Sequence, residues 1–381
     1  MNRKISLCNL SGLIIFFLCC ILACSNDDNI VPENNSDDPD EEVEEEEEEL
    51  GSIAVLSDCL FGDTNLFDTP VHNAIEETSL VDNGMENWQR VEMLSDEFDY
   101  LGGKQSPEFQ NKWRLGYVNN FQPLPTIWTG DQVSFEDDTA NPGNRILILQ
   151  AIIDETGNEK ILRCGMISSK ETSTYPLYQE AKVKISNSQL ANAVWMISKE
   201  TQIEEIDNVE AYGPRIRIDG QECDRPYFAD RIHLSHHTFR QTETERFDYQ
   251  PQKYTWMSRK KDNNDCSRDN DVVWSEQFHI FGVKWESPTK LVYFIDGKKV
   301  KTVNDLREED AIDPRGYTTC GDGLTREMHM LISQASQPWR YGSVDAFWNS
   351  NDIKSGPNTK MMVDWIRVYT PYGQLNRQTC N

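Results

Sequence analysis

From Trp88 onward the chain is a succession of short apolar or alternating runs set between turn residues. Examples are Arg145-Ile-Leu-Ile-Leu-Gln, Tyr178-Gln-Glu-Ala-Lys-Val-Lys-Ile, Phe278-His-Ile-Phe-Gly-Val-Lys-Trp and Met361-Met-Val-Asp-Trp-Ile-Arg-Val-Tyr. They are rich in Val, Ile, Tyr and Phe and carry the period of two that a half-buried strand needs. Asp296-Gly297, between two such runs, is a two-residue hairpin signal, because both positions of that turn need positive φ. No long amphipathic helix, phosphate-binding glycine loop or 20-to-50-residue repeat breaks the pattern. Ten Trp, thirteen Tyr and fifteen Phe supply enough apolar area for a sizeable core. The pattern predicts an all-β fold, a two-sheet sandwich or jelly roll.

The formal net charge of −27 excludes a nucleic-acid binder, which needs a basic footprint. Fourteen of the acids lie between Asp27 and Glu49, with no Lys or Arg among them, so the folded part is only moderately acidic. This segment is too charged to collapse and reads as a disordered tether. Before it, Arg3 and Lys4 precede an apolar run from Leu13 to Ala23, too short to span a bilayer and suited to a signal peptide. Ile21-Leu-Ala-Cys24 resembles a bacterial lipobox, with Cys24 the acylated residue, and Ser-Asn-Asp-Asp after it resembles the export tag of surface lipoproteins. The chain thus divides into a signal at 1–23, a tether at 24–50, residues 51–84 as either a packed linker or an extra strand, a domain at 85–375 and a tail at 376–381. The expected product is a monomer held at the outer membrane by lipid alone, or a secreted one.

An oxidising compartment permits disulfides. Cys59, Cys164, Cys223, Cys266, Cys320 and Cys380 remain after Cys24, an even number with fifteen possible connectivities. A staple between Cys59 and Cys380 would tie the two ends of the domain together. No spacing suggests zinc.

The chemistry concentrates in Glu204-Glu205-Ile206-Asp207-Asn208-Val209-Glu210. On a strand Glu205 and Asp207 share a face, and one β-bulge before Glu210 returns it to that face. Three carboxylates on one cleft are what a retaining glycosidase uses: a nucleophile, an acid and an assisting group that raises the acid by repulsion. Glu204, of opposite parity, reads as outward-facing. On spacing alone the cluster could equally be a solvated acidic strand.

Glu-Ile-Asp-Asn-Val-Glu resembles the ExDxxE signature of glycoside hydrolase family 16 in its bulged form. The resemblance extends through Ser95-Asp-Glu-Phe, Tyr175-Pro-Leu-Tyr-Gln-Glu-Ala-Lys-Val-Lys-Ile-Ser-Asn, Leu190-Ala-Asn-Ala-Val-Trp-Met-Ile-Ser, Glu210-Ala-Tyr-Gly, Arg231-Ile-His-Leu-Ser-His-His and Asp364-Trp-Ile-Arg-Val-Tyr. It covers about Trp88 to Pro371 and is similar to the agar-degrading branch. It implies a jelly roll with a cleft on its concave sheet and cleavage of β-1,4 galactosidic links in agarose with retention. Glu205 would be the nucleophile, Glu210 the acid/base and Asp207 the assistant. It further implies Trp128, Trp195, His236, Arg240, His279 and Trp339 as cleft residues. His233 and His237, of opposite strand parity to His236 and Arg240, read as structural. The resemblance also implies a structural Ca²⁺ on the convex face, held by Glu97, Gly143 and Asp364.

Three departures widen the substrate question: Asn208 where an apolar residue is usual, a longer approach at Ile203-Glu204, and Ala335 where an acid is usual. The segments 214–227 and 257–270 read as longer loops, and a bridge between Cys223 and Cys266 would wall the cleft. Arg215, Arg217 and Arg240 are candidates to offset a sulfate. Porphyran, or a non-catalytic glycan-binding role, therefore stands beside agarose.

Overall fold

The computed structural model describes residues 53–57, 88–119, 121–157, 159–199, 203–213, 228–229, 231–261, 270–337, 344–349, 351–354 and 356–371. Two sheets face each other. The first runs, in spatial order, through Ile53–Ser57, Trp256–Lys261, Arg231–Gln241, Glu204–Ala211, Ala191–Ser198, Met328–Ala335, Ile161–Ser173 and Trp113–Leu115. The second runs through Lys298–Asn304, Lys290–Ile295, His279–Ser287, Leu177–Lys184, Met361–Pro371, Arg145–Leu149 and Val133–Asp137. Neighbours on both paths pair antiparallel, except that Ile53–Ser57 joins Trp256–Lys261 in parallel. The uncertain segment at 51–84 therefore contributes an extra edge strand. Ser95-Asp-Glu-Phe joins the second sheet only by a single bridge, Asp96 to Ile366.

Alternation sets the layers. Ile206, Val209, Ile232 and Leu234 of the first sheet point into a core shared with Ala181, Val183, Phe281, Val283, Val363 and Ile366 of the second. The Asp296-Gly297 turn forms as expected, with φ of 47° and 80°. Among the described residues helices are short, the longest being Pro107–Lys112 and Val344–Asn349, and none is long and apolar enough to cross a membrane.

Cys320 is disulfide-bonded. Cys164 departs from an all-paired set: it is a free, fully buried thiol packed among Ala151, Leu162 and Met166. Cys24, Cys59, Cys223, Cys266 and Cys380 lie outside the described residues.

Glu180 is buried in the second sheet, where its carboxylate accepts a 2.9 Å hydrogen bond from the Tyr178 hydroxyl. Burial pushes it up to about 7 from 4.5. Between those values the folded chain keeps a proton that the unfolded chain has shed, so its stability falls as pH rises through 7. Glu180→Gln removes that dependence. The melting temperature of the variant is expected to match wild type near pH 4.5 and to exceed it above pH 7, by up to about 3 kcal/mol in stability. Parallel melting curves across that range check the sign.

Candidate active site

The strand Glu204–Ala211 lies between Ala191–Ser198 and Arg231–Gln241. Against the latter, Glu205 faces His237, Asp207 faces Ser235 and Glu210 faces His233. Three steps along the catalytic strand thus match two on its neighbour, which is one extra residue. Against Ala191–Ser198 the same slip appears between Val209, opposite Val194, and Asp207, opposite Trp195. Asn208 is the inserted residue. It is buried in the sandwich, where its amide nitrogen donates to the Phe281 carbonyl at 3.1 Å. An apolar side chain would leave that core site drier; Asn anchors the bulge to the second sheet.

The bulge brings Glu205, Asp207 and Glu210 into a single cleft. One arm of the cleft is aromatic. Tyr117 stacks on Trp128 at 5.2 Å and on Trp195 at 6.0 Å between ring centroids, and Phe121 closes the group. Hydrogen bonds from the Trp128 indole to the Gln334 carbonyl (2.8 Å) and from the Trp195 indole to Ser333 (3.0 Å) fix the rings. Flat rings of this kind suit the apolar C–H faces of sugars. The opposite arm is polar, with His233, His237, Asp248, Gln250 and Gln252 beside Trp256.

Electrostatics differ among the three carboxylates. Burial pushes both Glu205 and Asp207 up, Asp207 to about 7; the charge of Asp207 raises Glu205 further, while Glu210 and Asp248 add to the rise of Asp207. His237 lies 3.5 Å from Asp207 and 4.0 Å from Glu205. Burial alone would lower the imidazole, but Asp248, Glu205 and Asp207 outweigh it and raise it to about 10. Glu210 departs from the expected upward shift. Burial works to raise it, yet the hydrogen bonds from His233 (3.4 Å) and from the Tyr212 hydroxyl (2.6 Å) hold it below the usual range.

Similarity to known proteins decides the family. Residues 88–371 match the family model described as Beta-porphyranase A-D, GH16 domain. The chain belongs to glycoside hydrolase family 16. It is 35% identical to a β-agarase of Phocaeicola plebeius over 72% of this chain and 83% of that protein. It is 33% identical to β-agarase B of Zobellia galactanivorans over 74% of this chain and 78% of that protein. Among solved structures, an inactivated β-agarase B in complex with agaro-octaose superposes with a TM-score of 0.63 at 30% identity, covering 81% of this chain and 99% of that one.

Within this family 16 fold several expected site residues fall elsewhere. His236 and Arg240 do not face the cleft, because the register gives that face to His233, Ser235 and His237. His236 is fully buried, with its Nε2 3.0 Å from the Ala311 carbonyl, and Arg240 lies over the rings of Phe247 and Tyr317. His233 and His237, expected to be structural, are the cleft histidines. His279 is in the second sheet, held by Asp296 of the hairpin turn at 2.9 Å and packed edge-on against Trp274. Glu204 is not outward-facing. Its parity points into the end of the sandwich, where its carboxylate accepts from the backbone N–H groups of Thr325 (2.8 Å) and Arg326 (2.9 Å). Burial there pushes it up to about 7. Trp339, Arg215 and Arg217 lie outside the described residues.

The residues expected to hold Ca²⁺ do not fit a shared cation. Glu97 pairs with Arg90 at 2.7 Å and with Arg367 at 2.9 Å, so its charge is already balanced. Asp364 pairs with Lys182 at 2.7 Å and accepts from Asn144 at 2.8 Å. Gly143 sits in its hairpin at φ 99°. The oxygens of both carboxylates are thus engaged by arginine or lysine nitrogens, which compete with a metal for them.

Sequence reasoning missed Tyr117, Phe121, Asp248 and Gln250. Tyr117 and Phe121 precede the cleft strands by long stretches of chain, and Asp248 reaches the site only because its short strand folds back on Arg231–Gln241.

Proposed function

We propose that the protein is an endo-acting, retaining hydrolase of β-1,4 galactosidic links in agarose. The single observation that carries this reading is the bulge that puts Glu205, Asp207 and Glu210 on one cleft face beside an aromatic wall. Glu205 attacks the anomeric carbon while Glu210 gives a proton to the departing sugar oxygen. The resulting glycosyl ester is then opened by a water from which Glu210 takes a proton. Asp207 shares its proton with Glu205, and the charged ring of His237 favours the ionised nucleophile. Glu210 must first gain a proton. Sugar that displaces water from this buried carboxylate strengthens the desolvation that raises it.

The cleft's open, two-armed shape suits attack within a polymer. Its described lining contains no Lys or Arg and four acidic groups, Glu205, Asp207, Glu210 and Asp248, which favours a neutral chain over a sulfated one. A second reading, hydrolysis of porphyran, is favoured by the description of the matching family model. Residues 51–381 incubated with agarose and with porphyran distinguish the two by new reducing ends. Release from agarose supports the first reading, and release from porphyran alone replaces it with the second. Binding without release from either would favour the glycan-binding role.

The sequence at Cys24 supports a lipid anchor that holds a monomeric enzyme at the cell surface, with the acidic run at 27–49 as spacer. Cys24→Ser is expected to move the protein from the membrane fraction to the soluble one. Retention in the membrane fraction would remove the anchor from the account.

A further inference from the structure

Asp248 has no role in the chemistry described so far, yet it is the strongest partner of a ring that touches the reacting groups. It lies on the strand Arg246–Tyr249, opposite Phe239 in register. Its Oδ1 is 2.8 Å from His237 Nδ1, and its side chain is 29% exposed at the cleft edge. The ring of His237 lies flat against Phe239, 5.4 Å away and 10° from parallel. With its plane set by Phe239 and Nδ1 held by Asp248, the imidazole can present only Nε2 to Asp207 and Glu205. The Gln250 amide, 2.9 Å from Nε2, can turn its oxygen to an N–H there.

We propose that Asp248 is a positioning residue for hydrolysis, acting through His237 to hold the charged imidazole beside the nucleophile Glu205 and its partner Asp207. The proposal rests on the reading of Glu205 as nucleophile. The charged and titratable groups that interact with His237 are Glu205, Asp207 and Glu210 from the catalytic strand, Asp248 from the hairpin, His233 on the same face of its own strand and, through that strand, His236. Among them Asp248 makes the shortest contact with the ring. Without it, Nδ1 loses its carboxylate, the ring can turn or lose its charge, and a buried nucleophile beside Asp207 is less readily ionised.

The test uses the full chain with four variants: Asp248→Asn, Asp248→Glu, His237→Gln and the double Asp248→Asn/His237→Gln. Asp248→Asn is expected to lower kcat on agarose on the order of 10- to 100-fold, as partners behind a functional histidine do, with KM little changed. Asp248→Glu is expected to restore most of the loss. The double variant is expected to be no slower than His237→Gln alone, because two residues acting through one contact are not additive. Imidazole ¹⁵N resonances give a readout independent of substrate: His237 is expected to be protonated on both nitrogens at about pH 8 in wild type and not in Asp248→Asn. Additive losses, a loss confined to KM, or unchanged imidazole resonances would overturn the proposal. Should wild type fail on every galactan, the assignment of Glu205 fails with it, while the resonances still report whether Asp248 governs His237.

Discussion

Glu205→Gln is expected to abolish hydrolysis of agarose, with kcat reduced on the order of 10⁴-fold or more, as for loss of other catalytic nucleophiles. Gln keeps the size and one acceptor of the carboxylate but cannot form the glycosyl ester. The change also removes a buried charge beside Asp207, where burial and repulsion act against ionisation. The variant should therefore melt at or above the wild-type temperature and still bind agarose oligosaccharides. Loss of activity with intact melting and binding assigns the loss to chemistry. A variant that kept a tenth of the activity would move the nucleophile elsewhere.

Glu210→Gln is the second large effect, and its signature differs. Departure of the leaving sugar loses its acid and the second step loses its base, so kcat on agarose is expected to fall by about 10²- to 10⁴-fold. The Gln oxygen can still accept from the Tyr212 hydroxyl, so the local geometry persists. A small anion such as azide needs no base, and with Glu205 intact it should open the glycosyl ester and form a sugar azide of the same anomeric configuration as the substrate. Added azide should thus speed Glu210→Gln on a substrate with a good leaving group and leave Glu205→Gln unaided by that route. Equal responses of the two variants would contradict the division of roles.

Much of the site was legible because strand geometry constrains carboxylates tightly. Acids at 205 and 207 must share a face, and a third at 210 can join them only through an extra residue, which the register places at Asn208. The Asp296-Gly297 turn was legible for the same local reason. Errors arose where the answer depended on register with another strand. Nothing within Arg231–Gln241 says whether its odd or even residues face the cleft; pairing of Glu205 with His237 decides it. Glu204 illustrates a related limit. Its parity was read correctly as opposite to Glu205, but the other face is the end of the sandwich, capped by the Thr325–Arg326 backbone, and not solvent. The two acidic residues proposed for a cation show a third limit: Arg90, Arg367 and Lys182, which pair with Glu97 and Asp364, come from separate strands and cannot be read from the sequence around either acid.

The most direct test of the account is to follow agarose cleavage by proton NMR and record which anomer appears first at the new reducing ends. Glu205 acting as nucleophile on the cleft face it shares with Glu210 requires the β anomer first, with the α form growing in only by mutarotation. Initial α product would mean that water attacks directly and that Glu205 forms no bond to sugar, which would contradict the mechanism at its centre.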